Sequence, residues 1–567
     1  MIIMSSGVFV DVIVKAVSNA CGVKIDKNLI EVPPDSKLGD YAFPCFSLAK
    51  DLRKNPVEIA KELAGKIKIN KYLKDVKAEG PYLNFFVNNV FLAESVLKEI
   101  YGKKKNYGKK KVKSRTVLLE GWQPNTHKAF HIGHIRNAVL GDSIGRLLKF
   151  YGYKVVNVSY MGDVGAHIAK WLWYYKNFYR GKIPSKDVGR WAAKLYAEAT
   201  KKADDNEKYA EEINEFHKRI EGGDKELIEL WKKTRKLCLD DFKVIYKELG
   251  SKIDRWYFES EVEKDGIKMV KEMVENGYAE YSDGAIIINL EKYNLGVFVL
   301  LKSNGASLYS TKDIALAYLK SKEYNFDDSL YVVASEQDHH FRQLFKTLEI
   351  IRYKGFKRLM HVSYGVVKLK EGKMSSRLGN VVLYEEFRDK LIDKVRNIIK
   401  DRKLTGKKKE IIIKGVAFGA MNFAMLNQDS VKEIVFDYDQ ALSFDGETGP
   451  YIQYTNARCN SILKKYKRKL DSNVKYSLLD KDEEKKIIGL LNEFSDVVEK
   501  AALRYKPNLL TRYLIDLSQA FNQYYHTQRI IQEDDKVEKA RILLVACVKQ
   551  VLESGMCLIG IEPLEEM

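Results

Sequence analysis

The segment Pro124-Asn125-Thr126-His127-Lys128-Ala129-Phe130-His131-Ile132-Gly133-His134 carries the densest potential chemistry in the chain. His131 and His134 stand three apart with Gly133 between them, which offers two hydrogen-bond donors and close approach to the backbone. A short apolar run, Thr116-Val117-Leu118-Leu119, precedes the segment and a helical pattern follows it. The pair therefore falls in a strand-to-helix turn, where unpaired N–H groups and the positive end of the helix dipole favour phosphate. Either histidine alone would be read as a cap or a core residue; both together in this turn favour nucleotide chemistry. A second element, Lys373-Met374-Ser375-Ser376-Arg377, joins a lysine to two hydroxyls after an expected strand at 359–367. A polar loop of this kind suits contact with β- and γ-phosphates as pyrophosphate leaves, although a lysine there is more often merely solvated.

These residues need a frame. Leu140, Ile144, Leu147, Leu148 and Tyr151 fall on one helical face, and Lys154-Val155-Val156-Asn157-Val158 reads as a second buried strand. Strand, crossover helix and strand in this order imply a right-handed parallel unit of a nucleotide-binding fold. Residues 176–265, rich in Lys, Glu and Ala, read as an inserted helical region. Strand signals at 285–290, 297–302 and 329–334 are expected to supply the second half of the sheet. Beyond about 400 the pattern is long amphipathic helices, one with Ile487, Leu491 and Phe494 inward, another with Leu510, Leu514 and Phe521. The first hundred residues read as a small mixed domain, with Tyr82, Asn84 and Phe86 on one face of a strand. The expected fold is thus α/β and multidomain. A small α+β domain with its linker covers 1–112, a Rossmann-type parallel-sheet domain 113–395, and an all-α bundle 396–567.

Composition bounds the possibilities. The 567 residues carry a formal net charge of +20 and are 45% hydrophobic, which excludes wholesale disorder and permits real cores. No apolar run approaches the roughly 20 residues of a membrane span. Asp11 and Lys15 interrupt the first apolar stretch, so it does not read as a signal peptide. Six cysteines without C-x-x-C spacing argue against zinc and against a disulfide framework, and point to the cytoplasm with no structural metal. Seven lysines within 103–113 and five basic residues within 464–469 could be solvated surface or contacts to a polyanion.

The two chemical elements, in this order around a split sheet, resemble the HIGH and KMSK signatures of class I aminoacyl-tRNA synthetases. Their flanks narrow the resemblance to the arginyl-tRNA synthetase family, as an archaeal-like member. Glu120 stands ahead of Pro124-Asn125; Gly162-Asp163-Val164-Gly165 follows the second strand; Tyr309-Ser310-Thr311-Lys312-Asp313 and Gln337-Asp338-His339-His340-Phe341 match two further family patterns. Tyr451-Ile452-Gln453-Tyr454-Thr455-Asn456-Ala457-Arg458 is similar to the helix that opens the family's anticodon-binding domain. Trp122-Gln123 and Ala166-His167 depart from the family pattern, which bears on contacts to the amino group and ribose rather than on reaction class.

The resemblance implies an arginine–tRNA ligase acting through an arginyl-adenylate, with ATP, Mg²⁺ accompanying the nucleotide, L-arginine and tRNA-Arg as partners, as a monomer. It implies that Glu120, Asn125, Tyr309, Asp313 and Gln337 form the arginine pocket. A planar guanidinium is answered by carboxylates through charge-assisted bidentate hydrogen bonds. Asp313 as the cap of a helix beginning near Ile314 is an equal alternative on the residues alone. ATP would meet His131, Gly133, His134, Lys373, Met374, Ser375 and Ser376. Lys128 is a second lysine beside the histidine motif, and Lys373→Ala is expected to slow activation more than Lys128→Ala. The implied tRNA contacts are Tyr451, Tyr454 and Arg458 at the anticodon and Tyr82, Asn84 and Phe86 at the elbow. The alternative for the two C-terminal tyrosines is packing within the bundle.

Overall fold

The computed structural model of the chain describes residues 6–184, 186–370, 382–402 and 406–567. It opens with α1 (Ser6–Cys21), β1 (Tyr41–Pro44), the single turn α2 (Ala49–Leu52), α3 (Pro56–Lys66), β2 (Leu73–Glu79) and β3 (Tyr82–Val87). The three strands form an antiparallel sheet in the order β1-β3-β2. Asn55 caps α3 by accepting the Val57 N–H, and Pro56 follows where no helical donor is lost. Period-two alternation buries Leu83, Phe85 and Val87 and leaves Tyr82 and Phe86 half-buried on the other face. Asn84 shares that second face but is buried, against Gly39.

α4 (Asn89–Lys103) leads into the lysine-rich run, which is not a free linker. Tyr107 is buried, donates its hydroxyl to the Leu491 carbonyl at 2.8 Å and stacks on Phe494. Lys110 sits between Asp496 and Glu499 at 3.5 and 3.2 Å, and Lys103 pairs with Glu99 at 2.6 Å. In the second basic run Lys464 pairs with Glu565, and Arg468 with Asp535 and Glu538. Part of this charge is therefore paired with carboxylates, partly buried at Lys103 and Lys110 and on the exposed surface at Lys464 and Arg468.

The middle of the chain contains β4 (Thr116–Gly121), α5 (Ile132–Tyr151) and β5 (Lys154–Met161). Four helices follow: α6 (Ala166–Asn177), α7 (Val188–Asp204), α8 (Glu207–Glu221) and α9 (Lys225–Leu249). Then come β6 (Arg255–Phe258), α10 (Glu259–Glu275), β7 (Glu280–Ser282), β8 (Ala285–Asn289) and β9 (Val297–Leu301). α11 (Tyr309–Glu323), β10 (Asp328–Ala334), α12 (Asp338–Ile350), β11 (Leu359–Tyr364) and β12 (Val367–Leu369) complete this part. Five parallel strands form one sheet in the order β11-β10-β4-β5-β6. Val117, Leu118 and Leu119 of β4 are buried on both faces, as an inner parallel strand requires.

Three expectations are corrected here. The strand β6 lies inside the stretch read as helical insertion, since four residues ending a basic helical region carry too little periodicity to stand out. The strands near 285 and 297 do not extend the parallel sheet; with β7 they make a separate antiparallel sheet, so only β10 and β11 complete the first. The apolar signal at 359–367 divides into β11 and β12.

The remainder is α13 (Tyr384–Ile398), α14 (Gly406–Leu426), β13 (Ile434–Phe436), the turn α15 (Tyr438–Ala441), α16 (Gly449–Tyr466), α17 (Asp482–Leu503), α18 (Asn508–Thr527) and α19 (Asp535–Leu558). β13 returns to pair in parallel with β12, tying the helical part to the end of the sheet-bearing part. One continuous apolar core runs from Ala93 and Val96 through Ile144 and Leu148 into Phe494, Leu514 and Val548. Among the described residues no helix is long and apolar enough to cross a membrane.

Candidate active site

The site lies at the carboxyl ends of β4, β5, β6 and β10, where chain order reverses between β4 and β10. Open parallel sheets bind ligands at such a switch point. Glu120 is the penultimate residue of β4, Asp163 follows β5, Glu259 follows β6 and Gln337 follows β10.

His131 is the N-cap of α5, and its Nδ1 accepts the Gly133 N–H at 3.1 Å. His134 accepts the His131 N–H on its own Nδ1 at 3.2 Å, and the two rings lie 3.9 Å apart. Burial, with Lys128 nearby, pushes His131 down to about 4; burial and the same neighbours hold His134 well below its ordinary value. A neutral imidazole whose Nδ1 accepts must carry its proton on Nε2. Both rings therefore present an Nε2–H donor at the positive end of a 20-residue helix, the requirement for an anion that forms and departs there. Lys128 is half-buried, 5.3 Å from the Tyr196 ring of α7, and desolvation lowers its pKa.

Lys373, Met374, Ser375 and Ser376 lie outside the described residues. The segments on either side are fixed. Lys370 donates its N–H to Phe436 at 3.1 Å and pairs with Asp437 at 2.6 Å. On the far side Tyr384 donates to the Phe130 carbonyl at 2.9 Å, and Leu383 bridges His131.

The expected arginine-pocket residues converge, with unequal freedom. Both Glu120 oxygens are engaged, one by Gln123 at 2.6 Å and the other by Lys320, which is itself buried over the Tyr331 ring. Asp163 is held by Arg235 at 2.9 Å and by Ser260, and Glu259 by Lys312 at 2.8 Å. Among the described residues Asp313 pairs with no lysine or arginine; its Oδ2 meets His340 Nε2 at 2.7 Å. α11 begins at Tyr309, so Asp313 lies one turn inside the helix and is not its cap. Tyr309 and Asp313 are i, i+4 on one face, and Tyr309 is 56% exposed with its ring edge-on to His340. Asn125 packs so tightly on Gly162 that a Cβ there would stand 2.2 Å from its Oδ1. Gln337 is half-buried at the turn before α12.

Sequence reasoning passed over three residues here, Lys320, Glu259 and Tyr160, and gave no role to His340, which stood in the Gln337–Phe341 pattern. Tyr160 ends its side chain in a hydroxyl shielded from solvent and without a hydrogen-bond partner among the described residues, and burial, with Asp313, Glu259, Glu120 and Asp163 nearby, holds its pKa well above normal. Only the excess of buried carboxylates around one point, visible in three dimensions, reveals them. Trp122 does not intrude on the pocket: its ring is buried against Gly141, and its carbonyl accepts Ser159 at 2.8 Å.

Tyr454 and Arg458 form one unit on α16. The guanidinium lies 4.8 Å from the Tyr454 ring and 4.6 Å from Tyr525 of α18, and bonds the Tyr454 hydroxyl at 3.2 Å. Tyr451, one turn earlier, is half-buried against the bundle core.

Residues 96–438 match the family model for the catalytic domain of class I (R) tRNA synthetases. With the fold and the histidine-capped helix, this defines a class I aminoacyl-tRNA synthetase. Residues 8–87 match the arginyl-tRNA synthetase N-terminal domain and 452–567 the DALR anticodon binding domain. The chain is 39% identical to the arginine–tRNA ligase of Halothermothrix orenii over 97% of both chains. It is 37% identical to that of Clostridioides difficile over 97% of this chain and 99% of the other. It superposes on the Thermus thermophilus arginyl-tRNA synthetase with a TM-score of 0.82 at 26% identity, covering 98% of this chain and 100% of that one. The chain belongs to the arginyl-tRNA synthetase family, whose activity is arginine–tRNA ligation. These relatives are bacterial and lend no support to the archaeal-like character expected from the sequence.

Proposed function

We propose that the chain activates L-arginine with ATP and transfers it to the terminal ribose of tRNA-Arg, with the roles divided as follows. The arginine carboxylate attacks the α-phosphate and pyrophosphate leaves; the attacking group is already ionised, so no protein base is needed. Catalysis rests on position and on charge stabilisation at the phosphates. His131 and His134 supply their two Nε2–H donors to the phosphate oxygens, Gly133 admits the phosphate to the helix terminus, and Lys373 meets the departing pyrophosphate with Met374, Ser375 and Ser376. Lys128, beside the histidine pair, assists at the phosphates. Single-turnover activation should fall further in Lys373→Ala than in Lys128→Ala; the reverse order removes this division of labour. Magnesium enters with the phosphates of ATP, the usual habit of that ion.

In the pocket, Asp313 and Tyr309 receive the guanidinium, and Asn125, Gln337 and Glu120 receive the amino-acid end. The observation that carries this reading is the pairing of charges: Glu120, Asp163 and Glu259 each face a lysine or arginine, while Asp313 faces an imidazole. An incoming cation therefore finds its carboxylate at Asp313. The second step is attack by the ribose 2′-OH on the adenylate carbonyl, as in class I enzymes. Tyr451, Tyr454 and Arg458 stack anticodon bases, and Tyr82, Phe86 and the more buried Asn84 face the elbow. We place the enzyme in the cytoplasm, where free thiols persist, acting as a monomer that carries its own catalytic and anticodon-binding parts. Pyrophosphate exchange with each amino acid, with and without tRNA, tests the assignment. Exchange with arginine alone is expected, and no exchange with arginine under either condition refutes it.

A further inference from the structure

We infer that His340 is a positioning residue for arginine recognition, setting the Asp313 carboxylate and the Tyr309 ring in register for one guanidinium. The inference rests on the reading of Asp313 as the guanidinium acceptor. Three contacts carry it. His340 Nε2 lies 2.7 Å from Asp313 Oδ2, with 9% and 17% of the two side chains exposed. The same imidazole meets the Tyr309 ring edge-on, with centroids 4.8 Å apart. Behind it, Phe298 and Phe341 pack at 5.5 Å each and hold the ring in one plane.

The topology explains why a third residue is needed. Tyr309 and Asp313 come from α11, whereas Gln337 and His340 come from the start of α12, three residues apart. α11 alone fixes the spacing of Tyr309 and Asp313 along its face but not the rotation of either side chain. A carboxylate offers about four lone-pair sites, and a guanidinium needs two on neighbouring oxygens in one plane. A donor from α12 fixed on one lone pair of Oδ2 sets the plane of the carboxylate and leaves Oδ1 and the second Oδ2 lone pair to the substrate. The same ring supports the exposed Tyr309 over the mouth of the pocket. His340 thus touches neither the reacting carboxylate nor ATP, and its effect belongs to binding rather than to the chemical step.

The donor atom gives the test its specificity. Glutamine places its amide nitrogen close to the position of Nε2, whereas phenylalanine keeps the ring and removes the donor. His340→Phe is expected to raise KM for arginine on the order of tenfold or more, the scale of a missing hydrogen bond to a charged group, with kcat and KM for ATP within about threefold of the native enzyme. His340→Gln is expected to restore KM to within about threefold. Asp313→Asn is measured alongside, alone and combined with His340→Phe; the double variant is expected to bind arginine no worse than Asp313→Asn alone. If the phenylalanine variant is not folded by circular dichroism, His340→Ala takes its place. An unchanged KM in the donor-less variant, a fall in kcat without a rise in KM, or failure of glutamine to restore binding overturns the role of His340. If Asp313→Asn raises KM in that case, the pocket itself stands. If Asp313→Asn leaves KM unchanged, the pocket reading falls and this inference with it.

Discussion

His134 accepts the backbone N–H of the residue it is paired with, His131, on Nδ1 at 3.2 Å, and so fixes its own tautomer while helping to cap α5. Capping and phosphate binding are thereby assigned to opposite nitrogens of one ring. Asparagine mimics Nδ1 but not Nε2. His134→Asn should retain the cap, keeping the melting temperature within a few degrees. It should also lose about 10²–10³ in the rate of adenylate formation, as expected for one electrostatic donor removed from a reacting oxyanion. Thermal melts and single-turnover kinetics on the same preparation separate the two roles. Loss of stability without loss of rate would reverse the assignment.

The two histidines also set a pH signature. His131 is held at about 4 in the fold against an ordinary 6.5, so it stays neutral across pH 6–8. The activation rate should show no histidine-type inflection in that range and should decline only as pH approaches 4–5. Stability follows the same sign: a depressed folded pKa gives stability that is full above 6.5 and lost as pH falls toward 4. A rate profile with an inflection near 6.5 would contradict the neutral pair.

Asp142 runs the other way. Burial raises it from 3.8 to about 6, and Ser251, just beyond the end of α9, is its hydrogen-bond partner. A raised carboxyl pKa stabilises the fold below pH 4, and that contribution disappears as pH rises through 6, a loss of up to about 3 kcal/mol. Asp142→Asn should remove this slope, so that the variant gains on the native protein between pH 4 and 6. Denaturant titrations at several pH values measure the difference. Parallel stability curves would show that the carboxyl does not titrate there.

The buried Lys320–Glu120 pair should be sensitive to halves and tolerant of wholes. Lys320→Met leaves a carboxylate without its cation in the core of the site and should destabilise by about 3–5 kcal/mol. The double variant with Glu120→Gln should recover most of that. Chemical denaturation of the two variants decides it, and equal instability of single and double variants would deny the pairing.

The basic run at 103–113 divides by partner. Lys110, between Asp496 and Glu499, should contribute to stability. Lys104, Lys105 and Lys111 are exposed, and replacing all three with glutamine should reduce the salt dependence of tRNA binding. Every phosphate left unneutralised lowers the log–log slope by roughly 0.7–0.9. An unchanged slope returns those lysines to ordinary surface.

The β4-α5-β5 unit was legible because α5 has a clean helical period between two short apolar runs and the histidine turn sits between β4 and α5. β6 was not, being four residues at a sheet edge. The alternation around Ile286 and Phe298 announced strands truthfully but could not say which sheet they join, since pairing partners leave no mark on local pattern. Asp313 was legible as a residue of interest, yet only the start of α11 at Tyr309 decides between cap and pocket. Lys320 of α11 reaches Glu120 of β4 only in the folded chain, so nothing in its spacing identifies it; His340 stood in the Gln337–Phe341 pattern, but its contact with Asp313 exists only where α11 meets α12. Trp122 looked like a disturbance of the site until its ring was seen beneath Gly141.

The strand order carries a consequence for how the molecule is made. β4 pairs on one side with β5, but its other edge waits for β10, Leu118 meeting Ser329 about 210 residues later. At ordinary translation speeds of about 5–20 residues per second, that edge stays open for roughly 10–40 s. During that time the nascent chain presents Val117, Leu118 and Leu119 as an unpaired apolar edge while the helices α6 to α9 emerge and fold. The central strand of the nucleotide fold is thus completed late, and the sheet closes only after the inserted helices have been made.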